Sequence, residues 1–333
     1  MNKPLTAKDF ATDQEVRWCP GCGDYAILKC VQKTMADLEA NPDETVFISG
    51  IGCSSRFPYY MDTYGFHTIH GRAPAFATGL KLSNPDLDVW MVTGDGDGLS
   101  IGGNHLLHLI RRNVNMQVLL FNNEIYGLTK GQYSPTSRPG TRSPSSPKGS
   151  IEGAVSAGAF ALGAGAHFIA RGIDTDAKNL SATLKKAHAH QGTAFVEIYQ
   201  NCIVYNADVF KGFTEKAVAS DNQLHCTHGE PLLFAGGTKG IRLNTQRFAL
   251  EVVTLGENGV GESDILIHDS SNATLAQMLL TMDSDEAPVA LGVIYDNPAD
   301  ASFDQKFWSH HPTQGKRTGR VSDALRQGSI WKK

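Results

Sequence analysis

The sequence has no long apolar run. Nothing in it approaches the roughly 18 consecutive apolar residues of a membrane span. The opening residues, MNKPLTAKDFATDQEVRW, also lack the apolar stretch of a secretory leader. Basic charge is not in surplus: 30 Lys and Arg stand against 34 Asp and Glu, a net charge of −4. That balance argues against a nucleic-acid partner. Cysteine is sparse, with six residues in 333, and no internal repeat is visible. Without an export signal, Cys19, Cys22, Cys30, Cys53, Cys202 and Cys226 read better as metal ligands or core residues than as disulfides. A reducing, cytoplasmic compartment and no membrane association are therefore expected.

What is present is a glycine-rich α/β pattern. The 34 glycines gather in short runs such as 94–103, as suits turns that let backbone approach a phosphate. With 41% hydrophobic and 19% charged residues the chain can bury a sizeable core. The periodicity predicts helices near 24–38, 73–83, 100–111, 153–162 and 176–190, and strands at 45–49, 89–93, 117–121 and 194–198. This alternation predicts a mostly parallel sheet flanked by helices. The pattern changes beyond about residue 205. Strands near 249–255, 264–268 and 289–294 and a helix near 272–282 predict a smaller α/β appendage. The expected division is 1–215, a ligand-binding domain with an N-terminal cysteine arm, and 216–333, a C-terminal extension. No motif is readable in 225–333. The loop 134–149, rich in Pro, Ser and Gly, carries Arg138, Arg142 and Lys148 and no acid; it reads as solvated.

The strongest local signal is Gly94-Asp95-Gly96 followed, after 25 intervening residues, by Asn122-Asn123. Each half lies just past a predicted buried strand, so both loops fall at the carboxyl edge of the sheet, where ligands bind in open α/β folds. Gly94 and Gly96 permit close backbone approach to a phosphate, and the helix expected from Ser100 aims free N–H groups there. Asp95 and Asn123 offer hard oxygen ligands. Mg²⁺ needs near-octahedral oxygen coordination and shares it with phosphates. A diphosphate bridged by Mg²⁺ is the expected occupant.

The cysteines form a second constellation. Cys19-Pro-Gly-Cys22 precedes the first helix, Cys53 follows the first strand, and Cys202 follows the strand ending at Ile198. Four thiolates converging at loop ends can hold a [4Fe–4S] cluster or a structural zinc ion. Cys30 sits inside a helix and reads as core. Cys226, between His225 and His228, reads as core more readily than as a small metal site. His105, His108, His310 and His311 read as surface or packing residues.

The segments WCPGCGDYAIL, SGIGCSSR, IHGRA, GDGDGLSIGGNHLLH and NNEIYGLTKGQYSPTS, in that order over about 18–215, resemble the β subunit of 2-oxoacid:ferredoxin oxidoreductases, which binds thiamine diphosphate. The GDG and NN pair itself resembles the thiamine diphosphate motif. The resemblance implies that Asp95, Asn123 and the carbonyl of Ile125 ligate Mg²⁺. It places Gly94, Gly96, Asp97, Gly127 and Leu128 near the diphosphate, and Ile51, Gly52, Cys53, Ser54 and His70 along the cofactor. It implies Cys19, Cys22, Cys53 and Cys202 as ligands of a [4Fe–4S] cluster. The implied reaction is oxidative decarboxylation of a 2-oxoacid with coenzyme A, electrons leaving one at a time to ferredoxin. Arg56 and His70 are the expected catalytic side chains. A guanidinium at position 56 can bind a distal carboxylate, which favours 2-oxoglutarate over pyruvate or indolepyruvate. The glutamate that activates the cofactor's aminopyrimidine has no second domain here to carry it. It is expected on a partner α subunit, in an (αβ)₂ assembly.

Overall fold

A computed structural model describes residues 4–282, 287–311 and 322. Helix α1 (Asp24–Asp37) precedes strands β1 (Thr45–Ser49) and β2 (Tyr64–His67). Then come α2 (Ala73–Ser83), β3 (Asp88–Gly94), α3 (Gly103–Arg112) and β4 (Met116–Asn122). A two-residue-stranded hairpin follows, β5 (Ile125–Tyr126) and β6 (Gln132–Tyr133). Next are α4 (Ala157–Gly163), β7 (Phe168–Ile173), α5 (Ala177–Ala189) and β8 (Thr193–Tyr199). Two short helical turns, α6 (Lys211–Thr214) and α7 (Ala219–Asn222), lead to β9 (Gln223–Cys226), β10 (Leu233–Phe234), β11 (Lys239–Asn244) and β12 (Ala249–Thr254). The chain continues through α8 (Ala273–Leu280), β13 (Val289–Asp296) and α9 (Phe303–His310).

Eight strands form one sheet in the order β2-β1-β3-β4-β8-β7-β13-β9. All neighbours run parallel except β13 against β7. Both faces are covered, so the central strands are apolar on both sides. Along β3 and β4, alternate residues feed two cores. Val89, Met91, Val118 and Leu120 pack with α2, α3 and α4. Trp90, Val92, Leu119 and Phe121 pack with α1 and α5. Phe47, Trp90 and Phe121 are at most 1% exposed, and burial of each such side chain contributes about 1.5–3 kcal/mol.

The elements differ from the sequence reading in four places. First, β7 is a central strand although it carries Arg171. That guanidinium is buried and meets Glu197 of neighbouring β8 at 2.8 Å. Second, two strands from beyond residue 215, β9 and β13, join the main sheet. The expected C-terminal extension is thus stitched into the first domain; only β10-β11-β12 stand apart, as a small antiparallel sheet. Third, 264–268 makes no strand. Leu266 exchanges single backbone bonds with Leu232 and Ile241, and only Pro231 and Ile267 form a bridge. Fourth, the N-terminal cysteine arm packs onto the domain: Phe10 is fully buried, and the Arg17 N–H donates to the Tyr60 hydroxyl at 2.8 Å. Of the expected extension, 283–286, 312–321 and 323–333 lie outside the described residues.

Candidate functional site

Strands β1, β3, β4 and β8 are adjacent and parallel. Their carboxyl ends therefore deliver four loops to one edge of the sheet: 50–54, 95–102, 123–131 and 200–206. Two cavities lie there. The first is lined by Ile51, Gly52, Cys53, Ser54, His70, Gly94, Asp95, Gly96, Asp97, Asn123, Ile125, Gly127 and Leu128, together with Phe121, Tyr126 and Thr129. Every residue the sequence assigned to the cofactor or to Mg²⁺ lies on this one cavity.

Asp95 is 3% exposed. Its Oδ2 accepts from the Ser134 and Thr136 hydroxyls, each at 2.6 Å. Burial pushes its carboxyl up to about 6, and the two hydroxyl hydrogen bonds pull the other way. Asn123 donates from Nδ2 to Gln200 Oε1 at 2.7 Å, while its Oδ1 accepts from the Ile125 N–H at 3.2 Å. Gly96 has no room for a side chain: a Cβ would sit 2.2 Å from the Tyr126 ring, whose hydroxyl donates to the Gly96 carbonyl at 3.0 Å.

Helical structure begins at Gly94-Asp95-Gly96 itself rather than at Ser100. It opens with a wide turn over Asp97–Ile101, closed by Gly102 N–H donating to the Asp97 carbonyl at 3.0 Å. Such i→i+5 turns recur at functional sites. Both Asp97 carboxylate oxygens are engaged by protein groups. Its Oδ1 accepts from the N–H groups of Ile51 (3.1 Å) and Gly71 (2.7 Å) and lies 2.5 Å from His70 Nδ1. Its Oδ2 accepts from Thr93 at 2.7 Å. Asp97 is thus a brace for the 50–54 loop and for His70.

The second cavity is lined by Cys19, Cys22, Cys53 and Cys202, with Arg17, Trp18, Arg56, Lys130 and Gln200 among its other walls. The CPGCG turn is docked here by Gly23 N–H donating to the Asn201 carbonyl at 3.2 Å. Trp18 Nε1 donates to the Cys53 carbonyl at 2.6 Å. The sulfurs surround a space of about 210 Å³. Among the described residues no three His, Cys, Asp or Glu side chains stand close enough to share one metal ion. Burial, and next the charge of Asp24, raise the Cys22 thiol and push that of Cys53 up to about 12. Arg56 lies on this cavity and not on the first; its guanidinium donates to the Arg17 carbonyl. The two cavities share one wall: Cys53, Asn123, Gly127 and Leu128 line both.

Cys30 and Cys226 are buried away from this edge, in the core roles expected of them. Of the basic loop, Arg138 is not merely solvated: its Nε meets Glu124 at 3.3 Å and an Nη donates to the Val209 carbonyl. Sequence reasoning missed Ser134, Thr136, Gln200 and Trp18. Ser134 and Thr136 sat in a stretch whose composition reads as solvent-exposed, yet both are buried. No helix among the described residues is long and apolar enough to cross a membrane.

The Gly-Asp-Gly turn at the end of β3 and the Asn pair at the end of β4 fit one class, that of thiamine pyrophosphate enzymes. The family described as the C-terminal TPP binding domain of thiamine pyrophosphate enzymes matches residues 50–198. The chain is 50% identical over 269 residues to a 2-oxoglutarate oxidoreductase subunit KorB of Mycobacterium tuberculosis, covering 81% of this chain and 71% of that one. It is 48% identical over 197 residues to subunit beta of a 2-oxoacid:ferredoxin oxidoreductase of Aeropyrum pernix, covering 59% and 62%. Among solved structures it matches a 2-oxoglutarate:ferredoxin oxidoreductase from Magnetococcus marinus with 2-oxoglutarate, coenzyme A and succinyl-CoA bound. That match has a TM-score of 0.75 and 33% identity, covering 96% of this chain and 94% of that one. The chain belongs to the β subunits of 2-oxoacid:ferredoxin oxidoreductases, which are oxidoreductase enzymes.

Proposed function

We propose that this chain is the β subunit of a 2-oxoglutarate:ferredoxin oxidoreductase. With coenzyme A it converts 2-oxoglutarate to succinyl-CoA and CO₂, and the two electrons pass singly through a [4Fe–4S] cluster to two ferredoxins. The observation that carries the reading is the shared wall. Cys53, Asn123, Gly127 and Leu128 line both the cavity that gathers Asp95 and Asn123 and the cavity that gathers the four cysteines.

Asp95, Asn123 Oδ1 and the Ile125 carbonyl would hold Mg²⁺. The donor set fits, because these are hard oxygens and no cationic side chain among the described residues pairs with the buried Asp95 carboxylate. When bound, thiamine diphosphate supplies a carbanion that attacks the keto carbon and an electron sink as CO₂ leaves. The chain's part is to position and to exclude water. Gly96, with no side chain, would let backbone approach the diphosphate, and His70, braced by Asp97, would face the cofactor. Cys19, Cys22, Cys53 and Cys202 would ligate the cluster. The presence of all four cysteines on one cavity supports the cluster assignment. Burial holds the Cys22 and Cys53 thiols protonated, so loading iron there would release protons.

Arg56, beside Arg17 and Lys130, gives the rim of the sulfur cavity a positive character. We assign to it the distal carboxylate of 2-oxoglutarate. An α subunit would bring the pyrimidine-binding half and its glutamate, in an (αβ)₂ assembly. Exposed Tyr64, Phe66, Ile69 and Phe76, beside the first cavity's His70 loop, support an apolar partner surface on that side. The relatives' substrate names point the same way.

The test is co-expression with the neighbouring α subunit, anaerobic purification, metal analysis and assay of coenzyme A-dependent dye and ferredoxin reduction. About four iron per β chain, absorbance near 400 nm and activity with 2-oxoglutarate are expected. Zinc without colour, or iron that stays with the partner subunit when the chains are separated, would overturn the cluster assignment. Activity with pyruvate alone would overturn the substrate.

A further inference from the structure

Gln200, the first residue past β8, is 1% exposed and its amide touches both halves of the site. Oε1 accepts from Asn123 Nδ2 at 2.7 Å. Nε2 donates to the Asn201 carbonyl at 2.6 Å and lies 3.3 Å from Cys22 Sγ as a donor to that sulfur. The Asn201 carbonyl fixes which way the amide faces, because only the NH₂ end can donate to it. That same carbonyl accepts from Gly23 N–H. One peptide group therefore locks both the cysteine turn and the glutamine.

Two consequences follow from this orientation. The Asn123 NH₂ is occupied by Gln200, so Oδ1 is the atom turned toward a cation. And a neutral N–H donor points at the sulfur of Cys22. Hydrogen bonds to ligand sulfurs stabilise the more negative, reduced state of a cluster and raise its potential. We propose that Gln200 is a positioning residue for both centres: it sets the cluster's reduction potential through Cys22 and aims Asn123 at the cation through its own oxygen. This inference rests on the cluster reading given above.

The experiment uses the αβ holoenzyme, purified anaerobically, as wild type, Gln200→Glu and Gln200→Met. The cluster signal is followed by electron paramagnetic resonance against potential, and thiamine diphosphate affinity is measured on the same preparations. Glu keeps an acceptor for Asn123 and puts a carboxylate oxygen in place of the donor to sulfur. Its midpoint is expected to move to more negative potential than that of either other form. Met removes both contacts: a smaller negative shift is expected, with cofactor affinity about tenfold weaker, the worth of one buried hydrogen bond. Clusters in both variants at the wild-type midpoint would overturn the role of Gln200 and leave the cluster reading standing. A wild-type chain with no iron signal would remove the cluster reading, and the proposal with it.

Discussion

Of the two cavities at the sheet edge, one gathers the oxygens of Asp95, Asp97 and Asn123 and the other the sulfurs of Cys19, Cys22 and Cys202, with Cys53 on both. The oxygen side is made by residues that are satisfied before any ligand arrives. Asp95 has two hydroxyls, Asn123 a glutamine, and Asp97 three N–H or ring-nitrogen partners and a threonine. The sulfur side is looser. Its cysteines range from exposed Cys19 to buried Cys202 and come from an arm, the β1 loop and the β8 loop. Preorganised oxygens suit a small hard cation with strict geometry. Separate sulfurs around a space suit a larger group that itself draws them together.

The difference can be broken in order of expected effect. Asp95→Ala should abolish thiamine diphosphate binding, weakening it at least about a hundredfold by calorimetry, with iron per chain unchanged. Wild-type affinity in that variant would remove Asp95 from the cation. Cys22→Ala lies on the sulfur cavity alone. It should lose most of its iron and the absorbance near 400 nm while cofactor affinity changes by less than about threefold, a drop within ordinary surface-like coupling. Coupled loss of cofactor would mean that the two cavities fold as one unit.

A third test uses pH. Folding raises Asp95 from its ordinary value of 3.8 to about 6. The folded apo chain therefore holds an extra proton in this window, and Asp95's contribution to stability falls as pH rises from about 4 to 6. Cation binding needs the carboxylate, so its affinity should fall about tenfold per pH unit below 6. A flat affinity between pH 5 and 7 would contradict the assignment. The smallest effect is expected from Arg56→Ala: KM for 2-oxoglutarate rises about three- to tenfold, the worth of one charge-assisted contact that is partly exposed. An unchanged KM with slower ferredoxin reduction would transfer Arg56 from substrate to electron acceptor.

What could be read from the sequence divides along similar lines. Strands β1, β3, β4 and β8 were legible because they are mostly apolar runs, and the GDG and NN motifs sit at the ends of β3 and β4. β7 was hidden by Arg171, whose charge is neutralised only by a glutamate on the next strand. β2 is too short, and its four residues are all exposed. Ser134 and Thr136 belong to a loop of low hydropathy, and nothing local marks them as buried. Gln200 carries no motif; its role exists only where three loops meet.

The turn that bears Cys19 and Cys22 closes against a peptide group at Asn201, some 180 residues later in the chain. At ribosomal rates of roughly 5–20 residues per second, the first two thiols wait about ten to forty seconds for their companions. During that interval they are an unshielded pair, open to oxidation or to the wrong ion. A cluster on this chain could therefore be completed only once Cys202 has been made, with about 130 residues still to follow.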